Sequence, residues 1–209
     1  MRTLLLTGFE PFDQAPVNPS WEAARQLDGV LLDDGVQIVA RRLPCAFATA
    51  GDCLAQLIAE LQPVMVIATG LGPGRSDISI ERVAINVNDA RIPDNLGAQP
   101  IDTAVVVGGP AAYFSTLPIK AMVKAVREVG IAASVSQTAG TFVCNQVFYR
   151  LQHALVGTGV RSGFIHVPGL PGSSEPSMVL STTVEGLRVA ALAAWQTQAD
   201  VVLAGGQIS

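Results

Sequence analysis

Charged side chains are scarce in this chain of 209 residues: lysine, arginine, aspartate and glutamate make up 14% of it, and the formal net charge is -4. Its cations form no run longer than Arg41-Arg42. Proteins that bind nucleic acid neutralise phosphates with clustered cations. We therefore expect no nucleic-acid partner.

Cysteine and histidine are also sparse, with three and two copies. Cys45, Cys53 and Cys144 are odd in number and have no Cys-x-x-Cys spacing, which argues against a disulfide framework and a zinc site. Cys45 follows Pro44, and Cys53 flanks an apolar helix face. Both are expected to be inert core thiols, which leaves Cys144 as the cysteine with a chemical role.

Long hydrophobic runs are missing. Three leucines precede Gly8, and no apolar stretch approaches the 18 residues of a membrane-spanning helix. We expect no signal peptide, no membrane segment and a cytoplasmic protein. With glycine included, roughly 59% of the residues are nevertheless apolar, against about 45–50% in ordinary domains. Such a chain is expected to hide surface beyond its own core, which predicts a homo-oligomer.

Apolar segments with strand character alternate with segments of helical periodicity. Strands are predicted over residues 2–7, 36–40, 64–69, 78–87, 131–135 and 163–167. Helices are predicted after Asn18-Pro19, over 47–61, 120–129 and 144–155, and from a Thr182-x-x-Glu185 capping box to about Gln198. We expect residues 1–209 to form one domain, a three-layer α/β/α sandwich with a twisted, mainly parallel, mixed sheet.

Three loops follow predicted strands, over residues 8–13, 70–75 and 166–169. Ligand sites in such sheets lie at the carboxyl ends of strands, so we expect these loops to converge on one rim. The glycine-rich loop 70–75 resembles a phosphate loop, but the segment behind it is predicted to be extended. A tight turn near a ligand fits better than a dinucleotide site.

Cys144 stands after the small residues 138–141, where the helix 144–155 is predicted to begin. Helix starts carry unpaired N–H groups and a partial positive charge, so we predict a nucleophilic thiol with a lowered pKa. Of the two histidines, His153 faces the opposite side of the same helix, about 13 Å away. His166, on the proposed rim, is the remaining candidate base; a core histidine is the alternative.

Glu81 is the carboxylate expected to orient the His166 ring. Alternation along 78–87 places Glu81 on an apolar face, where an unpaired carboxylate is costly and a histidine donor is expected nearby. An ion pair with Arg82 or Arg91 is the alternative. Arg91 lies in the polar loop 88–95. It either belongs to the functional site or helps to fold this loop by pairing with Asp89 or Asp94.

Two of the seven phenylalanines, Phe9 and Phe12, are predicted to lie on the first rim loop rather than in a periodic core segment. Loop aromatics of this kind suit a small apolar slot that binds a ligand. Plain packing is equally consistent with the pattern.

Five segments together resemble pyroglutamyl peptidase I, the pyrrolidone carboxyl peptidase family of cysteine peptidases. They are 8–12 with 18–21, 80–86, 89–93, 139–145 (Ala-Gly-Thr-Phe-Val-Cys-Asn) and 164–168 (Phe-Ile-His-Val-Pro). The resemblance implies a single α/β/α domain, usually tetrameric and cytosolic. It also implies removal of an N-terminal pyroglutamyl residue from peptides without metal or cofactor.

The resemblance further assigns roles to individual residues. It implies a catalytic triad of Cys144, His166 and Glu81. It places Phe9, Phe12 and Phe142 in a pocket for the lactam ring, and Arg91 with the Cys144 N–H in the oxyanion region.

The glycine loop departs from the family pattern Gly-Gln-Ala-Gly-Gly-Arg at Leu71, Gly72 and Pro73. Leu71 is expected to meet the lactam through its backbone, which needs no glutamine side chain. Pro73 is expected to reshape the turn and alter substrate affinity.

The expected chemistry is attack on the pyroglutamyl carbonyl by a Cys144 thiolate that is ion-paired with protonated His166, followed by hydrolysis of a thioester. Three other functions stay open at this point. They are a cysteine amidase acting on another blocked or cyclic amide, a nucleoside- or phosphate-binding protein, and a non-catalytic interaction module.

Overall fold

Strands and helices alternate in the computed structural model, which describes residues 2–173 and 175–206. The strands in these ranges are β1 (Arg2–Phe9), β2 (Leu31–Leu32), β3 (Val36–Leu43), β4 (Met65–Leu71), β5 (Ile78–Glu81), β6 (Val83–Ile85), β7 (Ala112–Phe114), β8 (Ala133–Ser136) and β9 (Arg161–Val167). The helices are α1 (Pro19–Gln26), α2 (Ala50–Leu61), α3 (Ile119–Glu128), α4 (Val143–Leu155) and α5 (Leu180–Gln196).

Seven strands form one sheet in the order β2-β3-β1-β4-β9-β5-β8. The pairs β1·β3, β1·β4, β4·β9 and β5·β8 are parallel, whereas β2·β3 and β5·β9 are antiparallel. The strand β5 thus runs against its neighbour β9 near one edge. The predicted mainly parallel, mixed sheet is confirmed.

Helices cover both faces of this sheet, because alternate residues of each strand enter different cores. Leu4 and Leu6 of β1 pack in a core with α1, α3 and α5. Leu5, between them, packs in a second core with α2 and α4. The predicted three-layer α/β/α arrangement is confirmed. No helix within the described ranges combines the length and the apolar character needed to cross a membrane.

The segment 78–87 is not the single strand that alternation predicts. It breaks at Arg82: β5 ends in the large sheet, and β6 pairs with β7 in a separate two-stranded sheet. The expectation that Glu81 shares one strand face with residues 83–87 is therefore wrong, although Glu81 is fully buried. Periodicity misses this break because both halves of the segment remain extended.

The start of α5 also differs from the prediction. The helix begins at Leu180, so Thr182 lies inside its first turn and the Thr182-x-x-Glu185 pattern is not a capping box. The Glu185 carboxylate instead pairs with Arg188, 2.7 Å away, on the helix surface. By contrast, the predicted cap of α1 is confirmed, because Asn18 Oδ1 accepts a hydrogen bond from the Ser20 N–H before the first turn.

Candidate active site

The loops that follow β1 and β4 meet His166 of β9 at one rim, where they line a cavity of about 380 Å³. These three strands are mutually parallel, so their carboxyl ends lie on the same side of the sheet. The predicted convergence is confirmed for the loops after β1 and β4. Of the third predicted loop, residues 166–169, only His166 lines the cavity, and it lies in β9. Seven of the candidate site residues line this cavity: Phe9, Phe12, Leu71, Arg91, Phe142, Cys144 and His166.

Phenylalanine rings form much of the apolar wall of the cavity. The Phe12 and Phe142 ring centroids are 6.1 Å apart, and Phe47 meets Phe142 edge-on at 5.3 Å. Phe9 is buried and packs against Phe164 at 6.4 Å. The sequence predicts Phe47 to lie in a helix over residues 47–61, because it shares the periodicity of α2. In the structure Phe47 lies in the loop before that helix and packs against Phe142.

Cys144 is the second residue of α4, at the predicted helix start. Phe142 precedes the helix with an extended backbone and provides no side-chain cap. The first N–H groups of a helix lack intrahelical partners, so the Cys144 N–H can donate to its own sulfur or to a ligand in the cavity. This is the polarised environment that the sequence predicts around the thiol.

Gly70 leaves the space that the Cys144 sulfur occupies. A Cβ atom at position 70 would lie 2.7 Å from Cys144 Sγ and 2.9 Å from Phe164 Cζ. Gly70 is also in register with His166 on the adjacent parallel strand. Since paired residues of neighbouring strands point to the same face, the sulfur lies on the face of the sheet that carries the His166 ring.

Replacing Gly70 with alanine is expected to displace the Cys144 thiol. The added methyl group meets a packed sulfur and a ring, and overpacking of this kind costs about 1–3 kcal/mol of folding free energy. We expect alkylation of Cys144 by iodoacetamide to slow by roughly tenfold or more, because small displacements of a reacting group have large kinetic effects. Denaturant unfolding and alkylation rates measure both effects. Gly206→Ala is the control, since nothing lies within 4 Å of a Cβ there; equal alkylation rates for the two variants would contradict the packing argument.

His166 is held by Glu81 in the buried layer beneath the cavity. The Nδ1 atom of His166 lies 2.7 Å from Glu81 Oε1, and the side chains are 5% and 0% exposed. An ionised carboxylate only accepts hydrogen bonds, so Nδ1 carries the proton and Nε2 is left as the basic nitrogen. The sequence prediction of a histidine donor for Glu81 is confirmed.

Arg75 is a second partner of Glu81 that the sequence reasoning missed. Its guanidinium lies 2.9 Å from the same Oε1 atom and also donates to the Thr138 carbonyl at 2.9 Å. Neither Arg82 nor Arg91, the arginines considered from sequence, pairs with Glu81; Arg82 donates to Gln137 instead. The available signal was the position of Arg75 at the end of a rim loop. The other carboxylate atom, Glu81 Oε2, is buried without a hydrogen-bond partner among the described residues.

The electrostatics of the thiol differ from the prediction. Burial raises the pKa of Cys144, nearby Cys45 and Glu81 raise it further, and Arg75 and the Cys144 N–H only partly oppose them. Burial likewise lowers the pKa of His166, against the opposing effect of Glu81. The predicted lowering of the thiol pKa is therefore wrong, because desolvation outweighs the helix start.

Arg91 lines the cavity with an exposed side chain. It makes no ion pair or hydrogen bond within residues 2–173 and 175–206. The loop around it is folded by Asp94, whose carboxylate accepts from the N–H groups of Phe47, Leu96 and Ala98. Arg91 is thus not needed to fold its own loop and is available to a ligand.

The turn of the glycine loop accommodates Pro73. The Arg75 N–H donates to the Gly72 carbonyl at 3.1 Å, and Gly74 has a φ of 77°. This is the backbone of a β-turn with proline at its second position and glycine, at positive φ, at its third, a pairing that such turns favour. Pro73 therefore fits the turn that the structure has. The loop leads into β5 and not into a helix, as predicted.

The remaining candidates for chemistry have other environments. Cys45 is buried, and burial raises its pKa to about 12, which fits an inert thiol, although it also lines the cavity. Cys53 is half-buried in α2. His153 is bound through Nδ1 to the Tyr113 hydroxyl at 2.8 Å, away from the cavity. In the part of the chain that the structure describes, no three His, Cys, Asp or Glu side chains are grouped so as to hold a metal ion.

The arrangement can be compared with known proteins. The family model for pyroglutamyl peptidase matches residues 2–197, which include every residue named above as lining the cavity. The chain belongs to the pyroglutamyl peptidase family. The members are cysteine-type peptidases, and this pyroglutamyl peptidase has two thiols, Cys45 and Cys144, at its cavity.

Relatives of this pyroglutamyl peptidase match over the full length. The pyrrolidone-carboxylate peptidase of Pseudomonas fluorescens is 78% identical and that of Cupriavidus necator 59%, each over the whole of both chains. The crystal structure of pyroglutamyl peptidase I from Bacillus amyloliquefaciens is 42% identical, with a TM-score of 0.94 over 97% of this chain and 99% of that one. The structure of a mutant pyrrolidone carboxyl peptidase from Pyrococcus furiosus is 42% identical in sequence. Its TM-score is 0.89, over 93% of this chain and 98% of that one.

Proposed function

We propose that this pyroglutamyl peptidase hydrolyses the bond after an N-terminal pyroglutamyl (5-oxoprolyl) residue of peptides. Cys144 is the nucleophile, His166 the proton carrier and Glu81 the residue that orients His166. One observation carries this assignment. The Cys144 sulfur packs against Gly70, whose neighbour in register is His166, and His166 is itself bonded to a fully buried carboxylate.

Proton transfer accompanies the attack of the thiol. As Sγ bonds to the pyroglutamyl carbonyl carbon, its proton passes to Nε2 of neutral His166, and the Cys144 N–H with Arg91 stabilises the oxyanion. The imidazolium, stabilised by Glu81, then protonates the leaving amine and a thioester remains. Water, deprotonated by His166, hydrolyses the thioester and restores the thiol. Burial raises the pKa of the Cys144 thiol and lowers the pKa of His166, and both directions favour this order over an ion pair formed before the substrate binds.

The cavity suits an uncharged five-membered lactam. Pyroglutamate has no free α-amine, so its ring can lie against the wall of Phe12 and Phe142 without the burial of a charge. Leu71 lines the cavity, and we expect its backbone groups to bind the lactam. Removal of pyroglutamate therefore requires no anionic anchor in the pocket.

A pair of fluorogenic amides tests this function. We expect release from the pyroglutamyl amide to exceed release from the prolyl amide of the same fluorophore by about 10⁴-fold in kcat/KM, because proline leaves a lactam-binding group unpaired. Proline also brings a charged amine into an apolar cavity. Comparable rates would defeat this account of specificity. Preferred turnover of another blocked or cyclic amide would favour the rival amidase.

We also propose that the enzyme is a cytoplasmic homo-oligomer, a tetramer by family resemblance, built from residues 1–209 as one catalytic domain. Large apolar side chains at the surface support assembly. Those of Leu96, Ile101, Val107 and Phe114 are between 66% and 93% exposed. Burial of such a surface between subunits stabilises an oligomer.

A further inference from the structure

Two segments beside the cavity, residues 85–89 and 141–145, are joined by five hydrogen bonds that we call the clamp. Asn145 Oδ1 accepts from the Ile85 N–H at 2.9 Å, and Nδ2 donates to the carbonyls of Ile85 at 2.9 Å and Val87 at 3.0 Å. Thr141 Oγ1 donates to the Asp89 carbonyl at 2.7 Å, and the Asp89 N–H donates to the Thr141 carbonyl at 3.0 Å.

The Asn145 carboxamide acts as a strand neighbour for β6. One edge of β6 pairs with β7, and Asn145 satisfies backbone groups that this pairing leaves open. Asn145 is fully buried, with its acceptor and both donor hydrogens in use. Three side-chain bonds from a single fully buried residue hold the first turn of α4 in a fixed position.

The clamp links the two parts of the cavity wall that carry the reacting groups. Cys144 lies between its two attachment points, Thr141 and Asn145. Arg91 follows Asp89 by two residues on the other segment. Both side chains line the cavity. The clamp therefore determines how far the Cys144 N–H and sulfur lie from Arg91.

We propose that Asn145 is a positioning residue for the reaction, which sets the Cys144 turn against the Arg91 segment so that the oxyanion meets both. This rests on the proposed nucleophilic role of Cys144. Asn145 touches no substrate and moves no proton. Its contribution is realised in the transition state, so its loss lowers kcat and leaves KM nearly unchanged.

Asn86 provides a matched control in the same segment. Its side chain also makes three hydrogen bonds, with Val106 N at 2.9 Å, Val106 O at 2.9 Å and Gly109 O at 3.2 Å. These bonds join Asn86 to residues 106 and 109 and involve no residue of the segment 141–145. Asn86→Ala thus removes the same chemistry without touching the turn that bears the thiol.

The test compares Asn145→Ala with Asn86→Ala in the pyroglutamyl amide assay, with the folded fraction of each variant determined by circular dichroism at the assay temperature. We expect both variants to lower the melting temperature, but only Asn145→Ala to lower kcat, by about 10- to 100-fold. Equal kcat losses in the two variants, or a rise in KM alone for Asn145→Ala, would overturn the proposal.

Two further sets of variants keep the test decisive if Asn145→Ala does not fold. Asn145→Asp preserves the acceptor for Ile85 and loses both donations, and is expected to lower kcat. Thr141→Val loses the other side-chain bond of the clamp, and we expect it to lower kcat as Asn145→Asp does. Thr141→Ser keeps the hydroxyl and is expected to retain kcat. Equal kcat values for Thr141→Val and Thr141→Ser would count against the clamp. Turnover by Cys144→Ala would instead refute the proposed function itself.

Discussion

Cys144→Ala is expected to lower kcat/KM for a pyroglutamyl amide by about 10⁴-fold or more, the scale of loss seen when a covalent nucleophile is removed. No other group in the cavity replaces the thiol. Cys45 lines the same cavity, but burial raises its pKa to about 12, so it provides almost no thiolate. The folded state should change little, since alanine removes a single side-chain atom from a half-buried residue.

Intact-mass spectrometry after iodoacetamide treatment, together with the kinetic assay, checks this result. The native enzyme is expected to lose activity in step with one alkylation at Cys144. Cys53→Ala is the matched control, because Cys53 lies in α2 and does not line the cavity; it should behave like the native enzyme. Retained activity in Cys144→Ala, or inactivation that tracks alkylation of Cys45, would be incompatible with the assignment.

Glu81→Gln is expected to lower kcat/KM by about 10²- to 10⁴-fold, in line with loss of the orienting carboxylate from other nucleophile-base-acid triads. Glutamine keeps the size of the side chain but loses the charge that stabilises the imidazolium. It also leaves Arg75 without its partner in a poorly solvated position. Removal of one member of a buried pair destabilises the fold as well, so unfolding must be measured beside activity.

The pH dependence separates this effect from simple unfolding. Burial lowers the pKa of His166, so the acid limb of kcat/KM in the native enzyme should lie below the ordinary imidazole value of about 6.5. Glu81 opposes this shift, so its loss should move the limb to still lower pH. Partial unfolding would move it upward. Glu185→Gln, which alters an exposed pair with Arg188, should change neither rate nor limb.

Much of the site could be predicted from local patterns. The start of α4, the three rim loops and the elimination of His153 each depend on one segment and on helix or strand periodicity. Together these local patterns predict that Cys144, His166 and the phenylalanines line one cavity, as the structure confirms. The role of Glu81 as the partner of His166 was inferred from the cost of an unpaired buried charge, which holds whichever strand the residue occupies.

Other features depend on contacts between distant segments and were not accessible. Arg75 pairs with Glu81 only because the turn 72–75 folds back beside β5. The break at Arg82 leaves the polypeptide extended, so no periodicity reveals it. The raised pKa of Cys144 reflects the burial of the thiol among segments that are distant in sequence, and a helix start recognised in sequence contains no measure of that burial.

The reversed direction of β5 has one last consequence. Its antiparallel neighbour β9 ends at the rim, but β5 begins there and runs inward, so its final residue, Glu81, meets the imidazole from underneath. The anion that tunes the base is thereby kept out of reach of peptide and of dissolved ions. Dissolved salt screens a buried charge only weakly, so the interaction between Glu81 and His166 should depend little on ionic strength. The charge of a bound peptide should likewise have little effect on the basicity of His166.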